Sequence, residues 1–285
     1  MWVNMHRLVR SRSQRRVLVL SCALLAVVLA GVFAPLLVPR DPGTQKTDVR
    51  LEGPGLVFEE GTVAILGTDQ LGRDVLSRAI FGIRASLFVG ISGVLLAGLL
   101  GVGLGLIAGY FGGPWDMAIM RLADIQLAFP GILMALALTA ALGPSVRNLI
   151  VALTVTGWVL YARLVRGVVL SVKEREFVES ARALGASNSR IVLRHVLPNV
   201  ISPVVIVAAL DLGRMILAES SLSFLGLGIQ PPTPSWGSMI ADGRSYLFNA
   251  WWVSTFPGLF LAVTVMVIAL LGDAVRDSLD PHFRY

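Results

Sequence analysis

Asp211 and Arg214 lie three positions apart within an apolar stretch at about residues 199–218, a spacing that lets them pair across one helical turn. Such a pair has two uses. It can fasten two turns of its own helix, or it can face a water-filled path and meet a charged solute, because charge in an apolar span is costly unless it faces a bundle interior or water. Other chemistries find no residues. The two lysines, Lys46 and Lys173, lie in no G-x-x-x-x-G-K-[ST] loop, so there is no phosphate cradle for ATP. H-E-x-x-H and G-x-S-x-G are both absent, and Cys22 is the single cysteine, which rules out a disulfide within the chain. His6, His195 and His282 sit in basic or terminal segments and cannot supply a metal site alone. No catalytic residue, metal ligand or bound cofactor is assigned.

A second cluster of charge occupies residues 176–198, too polar to cross a bilayer yet set between two apolar stretches. Phe177, Ala181 and Leu184 recur at i, i+4 and i+7, which predicts a short helix with one apolar stripe facing outward. Gly185 stands where a left-handed residue would close that helix, and Ser187 is placed to cap a second helix from about Asn188. Pro198 is expected to bound the second helix. The residues alone describe a rigid helix-turn-helix knob, and leave open whether its stripe rests on lipid headgroups or on a protein.

The elements that position these residues are membrane spans. Of the 285 residues, 55% are hydrophobic and 15% charged, with a mean hydropathy of +0.76, which marks a polytopic membrane protein. The net charge of +6 reads as orientation, not as nucleic-acid binding, because the basic residues flank the spans. Arg7, Arg10, Arg12, Arg15 and Arg16 precede the first apolar run, 17–38, long enough to span the bilayer and to be retained as a helix. Residues 40–84 are polar, with six Lys/Arg against seven Asp/Glu, and are expected outside, ending in a turn and a short amphipathic helix. Further spans are expected at 85–110, 116–142 with a kink at Pro130, 146–169, 199–218, and after Trp251, Trp252 and Phe256 to about 271. Trp158, Tyr161, Arg163 and Arg166 suit an inner membrane boundary. Residues 219–249 are expected to return outside, leaving Asp211 as the well-buried acid. In the second span Gly93, Ala97, Gly101, Gly105 and Gly109 repeat every four residues, a small-residue ridge that lets helices approach closely. From 163 to 197 there are seven Lys/Arg against three Asp/Glu, so this loop and the amino terminus fall on the same, inner side.

The string E-S-A, three residues, Gly, nine residues, x-x-L-P, from Glu179 to Pro198, resembles the cytoplasmic signature loop of ABC importer permeases. That signature reads E-A-A, three residues, Gly, nine residues, I-x-L-P; Ser180 and His195 are the departures. G-T-D-x-x-G-R-D at 67–74 and P-P-x-P-S-W-G at 231–237, in the same order, are similar to the dipeptide, oligopeptide and nickel branch of that family. The resemblance implies an all-α type I ABC importer fold with six transmembrane helices and cytoplasmic termini, in a bacterial inner membrane. It divides the chain into an arm and first helix (1–40), an extracytoplasmic connector (41–84), a core (85–273) with its coupling loop (171–198), and a tail (274–285). In the family this loop docks on a separate ATPase subunit, which places Glu179, Ala181 and Gly185 at the docking core. Leu184 packs there, Arg182 lies near the ATPase surface, and Ser180, His195 and Pro198 complete the loop. The implied partners are a second homologous permease, two ABC ATPases holding ATP and Mg, an extracytoplasmic binding protein and membrane lipid. The implied cargo is peptide, with nickel or another small solute as the alternative. A stand-alone channel or proton-coupled carrier, and a purely structural subunit, are the readings of other classes.

Overall fold

The computed structural model describes residues 2–279, with side chains from 15 to 277. The side chains of His6, Arg7, Arg10 and Arg12, and the tail beyond 279 with His282, lie outside the described residues. Eleven α-helices are described. In order they are α1 (Trp2–Val32), α2 (Ala34–Leu37), α3 (Val75–Phe111), α4 (Gly113–Leu127), α5 (Gly131–Leu142), α6 (Val146–Val172), α7 (Glu176–Ala183), α8 (Asn188–Ile191), α9 (Leu197–Phe224), α10 (Trp236–Gly243) and α11 (Trp252–Leu279). A two-stranded hairpin, β1 (Leu56–Val57) antiparallel to β2 (Val63–Ala64), decorates the polar connector.

Five helical segments are long and apolar enough to cross a membrane: Arg15–Val32, Val75–Phe111, Val146–Val172, Asn188–Phe224 and Trp252–Asp277. The expected span at 116–142 is not a kinked helix. It is broken into α4 and α5, which meet at 90°. Pro130 has no N–H to donate and drives the residue before it away from helical geometry, and its own extended ψ of 124° starts the chain in a new direction. Side-chain bonds hold α4 against α6. Asp116 pairs with Arg166 at 2.5 Å, Asp124 pairs with Arg163, and Gln126 accepts from Trp158 Nε1 at 2.8 Å. Trp158 and Tyr161 are buried within the bundle.

Among the described residues α3 and α6 form the most extensive helix pairing, and the small-residue ridge makes it. An added Cβ at Gly101 would lie 2.4 Å from the Trp158 carbonyl oxygen, and one at Gly105 2.6 Å from that of Ala162. One at Gly109 would lie 2.7 Å from the Val169 Cβ. The ridge advances along both helices in step, so α3 and α6 run parallel, and α4 with α5 carries the chain back between them. Gly105→Ala forces backbone apart and is expected to cost about 1–3 kcal/mol, seen as a lower unfolding midpoint in detergent. Gly103→Ala, whose Cβ meets nothing within 4 Å, is expected to show no loss.

The start of α3, the end of α9 and the start of α11 differ from expectation. There is no separate amphipathic helix before the span: α3 runs unbroken from Val75, capped by Asp74, whose carboxylate accepts from Ser77 N at 2.7 Å. α9 continues to Phe224, so Glu219 is not in an outer loop but fully buried, accepting from Ser220 Oγ at 3.2 Å and Ser223 Oγ at 2.7 Å. Asp211 is therefore not the sole buried acid among the spans. Trp252 is not a lipid anchor. It is 8% exposed and donates from Nε1 to the Thr68 carbonyl at 3.1 Å, bolting α11 to the connector.

Candidate functional site

The loop after α6 is built as a supported knob. α7 ends where Gly185 adopts φ +79°, with Ala186 N–H donating to Ala181 O and Gly185 N–H to Arg182 O, both at 3.0 Å. This double closure is the Schellman motif, which needs a residue tolerant of the left-handed region. Ser187 then accepts from Arg190 N at 3.4 Å and caps α8.

Pro198 does not end the second helix. α8 passes through one widened turn, Val192–Val196, directly into α9. Leu197 N–H reaches back five residues to Val192 O, and this wider turn gives room for a proline that can neither donate nor sit against a carbonyl four residues earlier. One continuous helical path thus joins the knob to Asp211 and Arg214.

Val178, Ile191 and Val196 are fully buried against Val165 and Val169 of α6, with Ala181 and Ala186 packed beside them. The expected stripe is therefore split. The i, i+3 pair Val178 and Ala181 faces the valines of α6, while Phe177 and Leu184 face outward; Leu184 is 88% exposed. Glu179, Ser180, Arg182 and Gly185 share the exposed surface with Leu184, Pro198 is exposed further on, and His195 is half-buried with its ring 6.4 Å from that of Phe177. Lys173 Nζ donates to Gly109 O at 3.1 Å and the Tyr110 hydroxyl to Asn188 Oδ1 at 2.9 Å, which ties both legs of the knob to the carboxyl end of α3. Packed side chains and continuous helix thus join the knob to α3, α6 and α9.

The intramembrane pair exists as its spacing predicted, with a third member that the sequence did not reveal. Asp211, its side chain 1% exposed, accepts from Arg214 Nε at 2.6 Å and from the Tyr161 hydroxyl at 2.9 Å. Tyr161 is 50 residues away in sequence, so no local pattern could have named it.

A charge cluster on the connector was also missed as a site. Asp69 meets Arg73 Nε at 2.6 Å and Arg78 Nε at 3.4 Å, and both arginines reach toward Asp242, at 3.6 and 3.9 Å. The i, i+4 spacing of Asp69 and Arg73 was the available signal.

The family model described as binding-protein-dependent transport system inner membrane component matches residues 101–285. The chain is 42% identical over 261 residues to the di/tripeptide transport system permease protein DppC of Pseudomonas aeruginosa, covering 92% of this chain and 86% of that protein. It is 40% identical over 276 residues to the glutathione transport system permease protein GsiD of Escherichia coli, covering 96% and 89% respectively. Among solved structures it resembles the inward-facing MetNI methionine ABC transporter, with a TM-score of 0.57 at 20% identity over 72% of this chain and 98% of that one.

Proposed function

The chain belongs to the binding-protein-dependent transport system inner membrane component family, and from that premise we propose that it is the permease of an ATP-driven peptide importer. The peptide assignment is supported by relatives named for di- and tripeptides and for glutathione, each at 40% identity or more across most of both chains. The observation that supports ATP coupling is the knob. An 88% exposed leucine beside a left-handed glycine, on a base of buried valines continuous with two spans, is shaped for a protein cleft.

In this reading the site residues are Glu179, Ser180, Ala181, Arg182, Leu184, Gly185, His195 and Pro198. Glu179, Arg182 and Leu184 touch the ATPase, Ala181 holds the knob to its base, and Gly185 sets the turn. ATP and Mg bind two partner ATPases. Their closure draws together the knobs of this chain and a second permease, and the spans shift from inward-open to outward-open, where a binding protein releases its peptide. The ATP-bound dimer biases this equilibrium only by its differential affinity for the two states. The broken pair α4–α5 counts as the sixth crossing, with both termini on the ATPase side.

Deleting the chain from its host is expected to abolish energy-dependent uptake of labelled di- and tripeptides, with restoration on re-expression. Intact peptide uptake with lost nickel accumulation would reassign the cargo.

A further inference from the structure

We propose that Arg214 is a carboxylate-binding group in the translocation path, taking the C-terminal carboxylate of the passing peptide. The inference rests on the importer reading above and adds a specific contact to it. Its basis is the way the side chain is held. Asp211 occupies only Nε of the guanidinium and is itself fixed by the buried Tyr161 hydroxyl, so the planar fork is aimed and not free to swing. The other two nitrogens carry four N–H donors with no partner among the described residues, and the side chain is 56% exposed.

What Arg214 faces is a cavity of about 360 Å³ between α5, α6 and α9. Its walls are mostly apolar, with Ile132, Leu153 and Leu217 among them. The two hydroxyls on the lining, Thr156 and Ser221, already donate to carbonyls of their own helices, Ala152 O at 3.0 Å and Leu217 O at 2.8 Å. Among the described residues Arg214 is thus the one cation on this wall, and its paired donors match a carboxylate fork for fork. The first turn of α5, at Gly131 and Ile132, lines the same cavity as Arg214, so the break in the α4–α5 pair brings a helix start to the cavity wall. Asp211 cancels the net charge of the arginine, which makes the site a weak one that can also release. The C-terminal carboxylate is the anion that every linear peptide carries, whatever its side chains.

The test is ATP-driven uptake into proteoliposomes containing the complete importer, comparing a tripeptide with its C-terminal amide, both at concentrations that saturate the binding protein. The wild-type importer is expected to carry the free acid faster by on the order of tenfold. Arg214→Gln is expected to bring the two rates together, mainly by slowing the acid, and Arg214→Lys to keep part of the difference. Because acid and amide are compared within each variant, differences in assembly cancel. Equal rates for acid and amide in the wild type would overturn the assignment, and so would an unchanged ratio in Arg214→Gln. Failure of the wild type to carry either peptide would overturn the peptide reading and the assignment with it, a result distinct from the other two.

Discussion

Leu184→Glu is expected to leave the chain inserted and folded while cutting peptide uptake about thirtyfold or more. The folding half follows from exposure. Leu184 is 88% exposed and makes no part of the buried cluster beneath the knob, so a charge there displaces nothing inside the chain. The uptake half follows from docking. A large apolar side chain projecting from a rigid turn is the kind of anchor whose loss costs about 2 kcal/mol or more at an interface, and a carboxylate adds an unpaired charge to a desolvated cleft. Two kilocalories correspond to roughly thirtyfold in binding. Uptake by cells with matched amounts of wild-type and variant chain in the membrane checks it. Uptake within twofold of wild type would show that the exposed leucine meets lipid and not an ATPase.

The second large effect concerns stability. Asp69→Ala strips the shared partner from Arg73 and Arg78, whose side chains are 8% and 5% exposed, and leaves them with Asp242 at 3.6 and 3.9 Å. It also removes the acceptor of the Leu71 and Arg73 backbone N–H groups, bound at 2.9 and 3.0 Å. Removing one partner of a buried charge cluster costs about 3–5 kcal/mol, because the arginines stay buried with only the longer contacts to Asp242 and, for Arg78, to the Pro42 carbonyl at 3.4 Å. The unfolding midpoint in detergent is expected to fall by roughly 6–20 °C. Glu59→Ala, which breaks the Lys46 contact at 3.4 Å where the carboxylate is 87% exposed, is expected to change nothing measurable, since exposed pairs contribute little. Equal effects from both variants would mean that the cluster around Asp69 is not a structural tie.

What was legible in advance shares a property: it is local. The Gly185 turn, the Ser187 cap and the Asp211–Arg214 pair depend on residues within five positions of each other, and the structure shows all three. The glycine ridge was readable because a four-residue repeat marks one face of a helix wherever that helix is placed. Three of the errors come from distant partners. The turning of Ala181 toward the bundle depends on the valines of α6, and the role of Tyr161 on Asp211. The burial of Trp252 depends on Thr68, a carbonyl far away in the chain. Proline was misread twice for opposite reasons. At Pro198 a widened turn let the helix pass, and at Pro130 ion pairs from α4 to α6 held a full break where a kink was expected.

The central claim is that the knob at 176–198 couples this permease to separate ATPases. Its most direct test is purification of the tagged chain from native membranes in mild detergent, with wild type and Leu184→Glu in parallel, scored by mass spectrometry and by ATP hydrolysis. The expected result is that the wild type brings down P-loop ATPases and a second permease with measurable hydrolysis, and that the variant keeps the permease but loses the ATPases. Recovery of wild-type chain that is folded and alone, or equal ATPase recovery with both chains, would contradict it.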